Sequence, residues 1–121
     1  MKTSANIVEG DALEMNWSDV VSNEKLSYIM GNPPFVGFTF MSPEQKESMA
    51  RLFPGVKNLD YVCGWYKKAS DFMNDTSIEA AFVSTNSITQ GETVSRFWHF
   101  LPDDVINFAY RTFIWDSEAT Q

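Results

Sequence analysis

The chain has 121 residues, of which 44% are hydrophobic and 15% aromatic, with one cysteine, one histidine and a net charge of −7. This length allows one globular unit and hardly two, and the lone cysteine excludes an internal disulfide, which fits a cytoplasmic protein. No apolar run approaches the ~20 residues of a membrane span, and no signal peptide is apparent, so we expect no membrane association. The acidic balance argues against strong DNA binding by this chain alone, because Lys and Arg supply much of that affinity.

The first two predicted strands lead to the most informative segment of the sequence. A short strand is predicted in 6–13, which reads Asn-Ile-Val-Glu-Gly-Asp-Ala-Leu, and a second in 26–30, followed by Gly-Asn-Pro-Pro-Phe at 31–35. The two prolines lack backbone donors and have a fixed φ, so this segment is stiff. Open α/β sheets bind ligands outside the carboxyl ends of their strands, so these residues suit a planar base with an exocyclic amine. Taken alone, the segment would equally suit a Pro-Pro turn with Phe35 in the core.

Two helices are predicted between the second strand and the third. Ser42, Pro43 and Gln45 have the order of a capping box with proline at the first helical position, which predicts a helix over 43–52. In the segment 60–73 apolar residues recur with a helical period, and the resulting aromatic stripe is expected to pack into the core.

The remaining elements complete an α/β pattern. A buried strand is predicted at 78–85, and a last strand at 105–113. Between them, Thr89 and Glu92 have the spacing of a second capping box, which would start another helix. The apolar side of this helix would carry Val94, Phe97, Trp98 and Leu101. The order of elements predicts a doubly wound α/β sheet with about four strands and flanking helices.

The tetrapeptide Asn32-Pro33-Pro34-Phe35 resembles motif IV of the amino-methyltransferases, (Asn/Asp/Ser)-Pro-Pro-(Phe/Tyr/Trp). These enzymes methylate adenine N6, cytosine N4 or, in some relatives, a protein glutamine. The segments 82–91 and 108–113 are similar to those of single-chain restriction–modification enzymes of the MmeI-like type (type IIL/IIG), N6-adenine DNA methyltransferases. These longer matches are more specific than the tetrapeptide. The resemblance implies a partial Rossmann-like, S-adenosylmethionine-dependent methyltransferase fold, with 1–121 as the central and C-terminal part of one domain.

The resemblance also implies roles for particular residues. Asp11, with Ala12 beside it, matches motif III, where an acidic residue accepts a hydrogen bond from the adenine amino group of S-adenosylmethionine. Asn32, Pro33, Pro34 and Phe35 would form the catalytic segment, in which the Asn32 side-chain oxygen and the Pro33 carbonyl accept the hydrogens of the target amine. Asn32 and Phe35 would also bind the flipped-out base, with Phe35 stacked on it. This chemistry needs no metal. Taken alone, Asp11 would be interpreted as a turn or N-cap residue.

Two features depart from the family pattern. The sequence contains no Phe-x-Gly-x-Gly cofactor loop, and no target-recognition domain or nuclease motif is visible. We therefore expect the chain to be inactive alone, to contact DNA through the full-length enzyme and to need a missing N-terminal part of the domain. Self-association through an exposed sheet edge is a further expectation.

Two functions stay open. The first is a fragment of an adenine-N6 DNA methyltransferase of a restriction–modification system, and the second is an inactive methyltransferase-like interaction or structural module. A methyltransferase acting on RNA or on a protein glutamine is a lesser alternative. The intact segment at 32–35 favours chemistry, whereas the missing cofactor loop indicates that this chain cannot perform it unaided.

Overall fold

Two short parallel strands, β1 (Tyr28–Gly31) and β2 (Glu79–Phe82), pair in the computed structural model, which describes residues 5–107 and 109. A bond of 3.1 Å from the Val83 N–H to the Gly31 carbonyl extends the pairing past the end of β2. Parallel strands need a long crossover connection, usually helical. Here that connection contains two helices.

The crossover helices are α1 (Pro43–Leu52) and α2 (Val62–Met73), and α3 (Glu92–Phe97) follows β2. None of the helices among the described residues is long and apolar enough to cross a membrane. Short 3-10 turns occupy Trp17–Asp19, Asn23–Lys25, Phe38–Phe40, Asn86–Thr89 and Trp98–Phe100.

The predictions for the crossover helices are confirmed. The Gln45 N–H donates to the Ser42 hydroxyl at 3.1 Å, and the Ser42 N–H donates to Gln45 Oε1 at 2.9 Å, which completes the capping box. Pro43 occupies the first helical position, where its missing N–H costs nothing. The helix predicted over 60–73 begins two residues later, at Val62.

The prediction of about four strands is wrong for the described residues, which contain two. Residues 5–9 form no strand, because none of the described segments pairs with them. Ile7 in this segment is 88% exposed. The segment 11–15 is a turn, in which the Asp11 carbonyl accepts from the N–H groups of the third and fourth residues after it. Residues 105–107 are exposed and outside any strand, whereas 108 and 110–113 lie outside the described residues.

The second predicted capping box is also wrong. Gly91 precedes α3 with φ of +64°, a conformation that glycine adopts readily, and no side chain caps the helix. The Thr89 hydroxyl instead donates to the Asn86 carbonyl at 2.9 Å, within its own 3-10 turn. The predicted apolar side is correct at Phe97 and Leu101, which are buried, but Val94 is 42% exposed.

The core forms where α1, α2 and α3 meet, and aromatic rings dominate it. Phe53, at the end of α1, packs edge-on against Phe97 at 6.0 Å and Phe100 at 5.1 Å between ring centroids. The aromatic stripe of α2 packs into the same core, as predicted. The buried members are Leu13, Met41, Met49, Phe53, Leu59, Tyr61, Val62, Cys63, Ile88, Phe97 and Leu101.

One surface of the sheet is left open by this arrangement. Tyr28 is 67% exposed and Met30 is 81% exposed, although both lie on β1. Parallel sheets are ordinarily covered on both faces. The described part of the chain therefore covers its own sheet incompletely.

We predict that Phe53→Ala lowers the free energy of unfolding by roughly 3–5 kcal/mol, because Phe53 is 1% exposed and its removal leaves a cavity. Phe40→Ala is the matched control, since Phe40 is 84% exposed and its loss should change stability by less than about 0.5 kcal/mol. Urea unfolding of both variants measures the difference. Equal losses in the two variants would contradict this description of the core.

We also predict that Cys63 does not react with DTNB in the native protein at pH 7–8. Burial, together with a smaller effect of the Asp60 carboxylate, raises the pKa of its thiol to about 12. Because the unfolded thiol ionises first, stability is unaffected below the ordinary pKa of 9 and falls as the pH rises above it. Absorbance after DTNB addition, with and without denaturant, measures the reaction; rapid native labelling would contradict the prediction.

Candidate target-base site

The segment Asn32–Phe35 leaves the sheet where β1 ends. Gly31 accepts the last ladder bond, and the prolines that follow cannot donate to a neighbouring strand. Pro33 is buried, whereas Asn32 is exposed and Phe35 is 50% exposed. Phe35 is therefore not a core residue, and the amide and the ring that the sequence singled out are both accessible.

A hydrogen bond holds each end of this segment. At one end the Gly31 carbonyl accepts from the Val83 N–H at 3.1 Å, and at the other the Val36 carbonyl accepts from the Tyr61 N–H at 3.0 Å. We call these two bonds the anchors. They attach the segment to the end of β2 and to the start of α2, so its geometry is set by how those two elements are placed.

Phe35 lines a broad open groove that runs along β1 and β2, together with Tyr66 and the residues that follow β2. The Tyr66 hydroxyl donates to the Ser84 hydroxyl at 3.3 Å, and its ring packs against Phe82 at 5.1 Å between centroids. Burial raises the pKa of Tyr66 by more than the hydrogen bond to Ser84 lowers it, so the phenol stays neutral. Asn32 is not among the groove-lining residues.

A polar chain that the sequence interpretation missed lies beside the anchors. The Ser87 hydroxyl donates to Asp60 Oδ2 at 2.6 Å and lies 2.7 Å from the Thr85 hydroxyl. Asp60 directly precedes the anchor residue Tyr61. Ser87 and Thr85 lie within a segment that carried the family resemblance, which was the one signal pointing to them.

The predicted cofactor residues lie in the turn 11–15. Asp11 is exposed, and its Oδ1 accepts from the Leu13 N–H at 2.9 Å. Asp11 is therefore a turn residue, which was one of the two interpretations that the sequence allowed. The prediction that Asp11 ends a strand is wrong. The Ala12 carbonyl accepts from Trp17 Nε1 at 2.8 Å.

Helix α2 holds this turn in place. A Cβ atom on Gly64 would lie 2.8 Å from the Leu13 side chain, so the glycine permits close contact between helix and turn. The Lys68 ammonium group, on the same helix, donates to the Met15 carbonyl at 2.6 Å. Both candidate segments, 11–15 and 32–35, are therefore attached to α2.

Electrostatic effects also show that the turn 11–15 lies close to the start of α2. Burial raises the pKa of the Tyr61 phenol, and the carboxylates of Asp11 and Glu14 raise it further. Glu14 also binds Ser48 and Arg51 of α1, and these hydrogen bonds lower its pKa. The turn thus joins α1 to α2, with the Asp11 carboxylate close enough to Tyr61 to affect its ionisation.

The described part of the chain is suited to hydrogen bonding and stacking. Within residues 5–107 and 109, no group of three or more His, Cys, Asp or Glu side chains could hold a metal ion. An exposed amide beside a fixed proline carbonyl can accept hydrogens from an amine, and the half-exposed Phe35 ring can stack on a planar group.

Comparison with known proteins relates this chain to DNA methyltransferases. The family described as MmeI, DNA-methyltransferase domain, matches residues 1–121. DNA methyltransferase A of Bacillus subtilis (strain 168) is 36% identical over 126 residues, which cover 98% of this chain and 14% of that protein. The solved structure of the type IIL restriction–modification enzyme MmeI in complex with DNA matches 100% of this chain and 17% of its own, with 43% identity and a TM-score of 0.91.

These matches define the chain as part of a DNA-methyltransferase domain, and the parallel strand β1 leads into its Asn-Pro-Pro-Phe segment. Within that class, the chain belongs to the MmeI family. The resemblance inferred from the sequence is confirmed at this level. The chain spans 14% of the length of the curated relative and 17% of that of the solved one.

Proposed function

We propose that this chain carries the target-base segment of a Rossmann-like, S-adenosylmethionine-dependent DNA methyltransferase. The enzyme would methylate N6 of a flipped-out adenine within a restriction–modification system. The observation that supports this most is the accessible, doubly anchored segment Asn32–Phe35 at the carboxyl end of β1. Membership of the MmeI DNA-methyltransferase family supports the same reaction class.

Asn32 and Pro33 would activate the target amine. The lone pair of adenine N6 is delocalised into the ring, and the Asn32 side-chain oxygen and Pro33 carbonyl would accept its two hydrogens. These two hydrogen bonds would favour the pyramidal form of the amine, in which the nitrogen is nucleophilic. S-Adenosylmethionine, when bound, supplies an electrophilic methyl group. Most of the acceleration would come from positioning and from acceptors placed where positive charge develops.

Phe35 would hold the base after it leaves the duplex. A paired adenine hides its amine within the stack, so the enzyme must flip the nucleotide outward. Phe35 is 50% exposed and belongs to the anchored segment, which supports a stacking role. Pro34, between it and Pro33, keeps the ring and the Pro33 carbonyl in a fixed relation.

Asp11 and Ala12 would contribute one part of the cofactor site. The exposed Asp11 carboxylate is a suitable acceptor for the adenine amino group of S-adenosylmethionine, and the turn that carries it is held against α2. The glycine-rich part of such a site is absent from these 121 residues. We therefore propose that the chain alone is inactive and acts within a longer, cytoplasmic enzyme that provides the rest of the domain and the DNA contacts.

We predict that Asn32→Ala lowers methyl transfer by 10²–10³-fold or more in the intact enzyme, because one fixed acceptor is lost. Asn74→Ala is the control, since Asn74 is exposed and precedes β2, at the opposite end of the sheet. Single-turnover transfer of labelled methyl groups to duplex DNA measures the rate, and nucleoside analysis identifies the methylated base. Cofactor affinity should stay within about twofold of wild type.

Wild-type transfer by Asn32→Ala would overturn the proposed role of this segment. N4-methylcytosine as the product would retain the enzyme class and correct the base. Methylation of RNA or of a glutamine peptide, with DNA unmodified, would favour the alternative substrates.

We predict that Asp11→Ala weakens S-adenosylmethionine binding about tenfold in the intact enzyme, since one charge-assisted hydrogen bond is lost. Asp11→Asn should bind nearly as well as wild type, because the amide oxygen still accepts. Asp103→Ala, at an exposed aspartate elsewhere, is the control. Calorimetry measures the affinities. Saturable binding by the isolated 121-residue chain, lost in Asp11→Ala, would mean that the chain forms its own cofactor site and would contradict the proposal that the rest of that site lies outside it.

The second candidate is an inactive interaction or structural module. The exposed Tyr28 and Met30 on β1 favour it, since such a surface can pair with a second copy or another chain. Sedimentation of the 121-residue chain separates the candidates when combined with the activity assay. Stable dimers together with no transfer by the intact protein would favour the module.

A further inference from the structure

We propose that Asp60 is a positioning residue for the target-base segment, acting through its hydrogen bond to Ser87. This inference rests on the methyl-transfer function proposed above. It assigns a role to a side chain outside the Asn-Pro-Pro-Phe motif and to a contact between residues far apart in the sequence.

The need for such a residue follows from the anchors. Tyr61 holds the segment at the start of α2, and Val83 holds it just past the end of β2. Because the segment is bonded at one end near β2 and at the other near α2, it keeps its shape only while the distance between β2 and α2 is fixed. The two prolines stiffen the segment internally but do not fix that distance.

The Asp60–Ser87 hydrogen bond connects the two elements beside the anchors. Asp60 is adjacent to Tyr61, and Ser87 follows Val83 closely in the chain. The bond is 2.6 Å long and charge-assisted, so it is stronger than a bond between neutral groups. The Thr85 hydroxyl is hydrogen-bonded to that of Ser87 at 2.7 Å. Together with the anchors, these contacts form a closed path of which the segment is one part.

Helix capping does not account for the Asp60 side chain. An aspartate just before a helix usually accepts from the first N–H groups of that helix. In α2 no side chain caps the helix, and the bond from the Cys63 N–H goes to the Asp60 backbone carbonyl. The carboxylate instead accepts from Ser87, and its Oδ1 lies 3.8 Å from where a Cβ on Gly37 would be. The side chain therefore faces the segment that follows the target-base residues.

The consequence for the reaction is specific. If Asp60 fixes the distance between the anchors, its loss misaligns the Asn32 and Pro33 acceptors without removing any group that touches DNA or cofactor. Small displacements of positioned groups reduce rates strongly, up to about 10²-fold for 1 Å. The expected signature is a lower kcat with an unchanged KM for DNA.

The test compares Asp60→Ala, Asp60→Asn and Ser87→Ala in the intact enzyme. We expect Asp60→Ala and Ser87→Ala each to lower kcat roughly 10–100-fold, with KM for DNA and for cofactor within about threefold of wild type. Asp60→Asn should retain most of the activity, because its amide oxygen can still accept from Ser87. The double variant Asp60→Ala/Ser87→Ala should be no slower than the slower single variant, since both remove one contact.

Asp71→Ala is the matched control, because Asp71 lies on α2 and its carboxylate is exposed in an ion pair with Lys67. It should leave kcat unchanged. If Asp60→Ala does not fold, Ser87→Ala and Asp60→Asn decide the question, because both leave α2 and its neighbours nearly the same in volume.

Two results would overturn the inference. Wild-type kcat in Ser87→Ala, or equal impairment of Asp60→Asn and Asp60→Ala, would exclude positioning through this hydrogen bond. These results leave the proposed function intact as long as Asn32→Ala abolishes transfer. Full transfer by Asn32→Ala would overturn the function itself.

Discussion

The buried first turn of α2 is the constraint on which the rest of the structure depends. Tyr61, Val62, Cys63 and Gly64 are all buried there. This turn supplies one anchor of the segment Asn32–Phe35, and on the same helix Gly64 allows close contact with the turn that carries Asp11. Two segments that are distant in sequence thereby become attached to one rigid element. Packing of one helix end therefore decides the geometry of both candidate binding regions.

The elements that could be predicted from sequence are those whose signals are local. The capping box at Ser42 and the apolar period of α2 each lie within one helix, and both are confirmed. A strand instead depends on a partner elsewhere, and residues 5–9 have none among the described residues. The second capping box has suitable spacing, but Gly91 adopts a positive φ between its two members. Pattern alone does not reveal that interruption.

In the candidate site, too, local features could be predicted and long-range contacts could not. Asn32–Phe35 could be identified from the sequence because its members are contiguous and resemble a known motif. The Asp60–Ser87 bond could not, since it joins side chains 27 residues apart and neither has a distinctive local pattern. The bond from Lys68 to the Met15 carbonyl is similar, because it also joins residues that are far apart in the sequence. Interactions of this kind become visible only when the chain is folded.

The pairing of β1 with β2 has a consequence for the order in which the protein matures. The two strands lie about fifty residues apart in sequence, and contacts of such separation form late because the chain between them must first be ordered. The anchor at Val83 lies on the far side of that gap from Asn32. As the chain emerges from the ribosome, Asn32–Phe35 appears early but acquires its final shape only after β2 has been made and docked. The segment Asn32–Phe35 therefore reaches its final shape only after the residues of α1 and α2 have been synthesised.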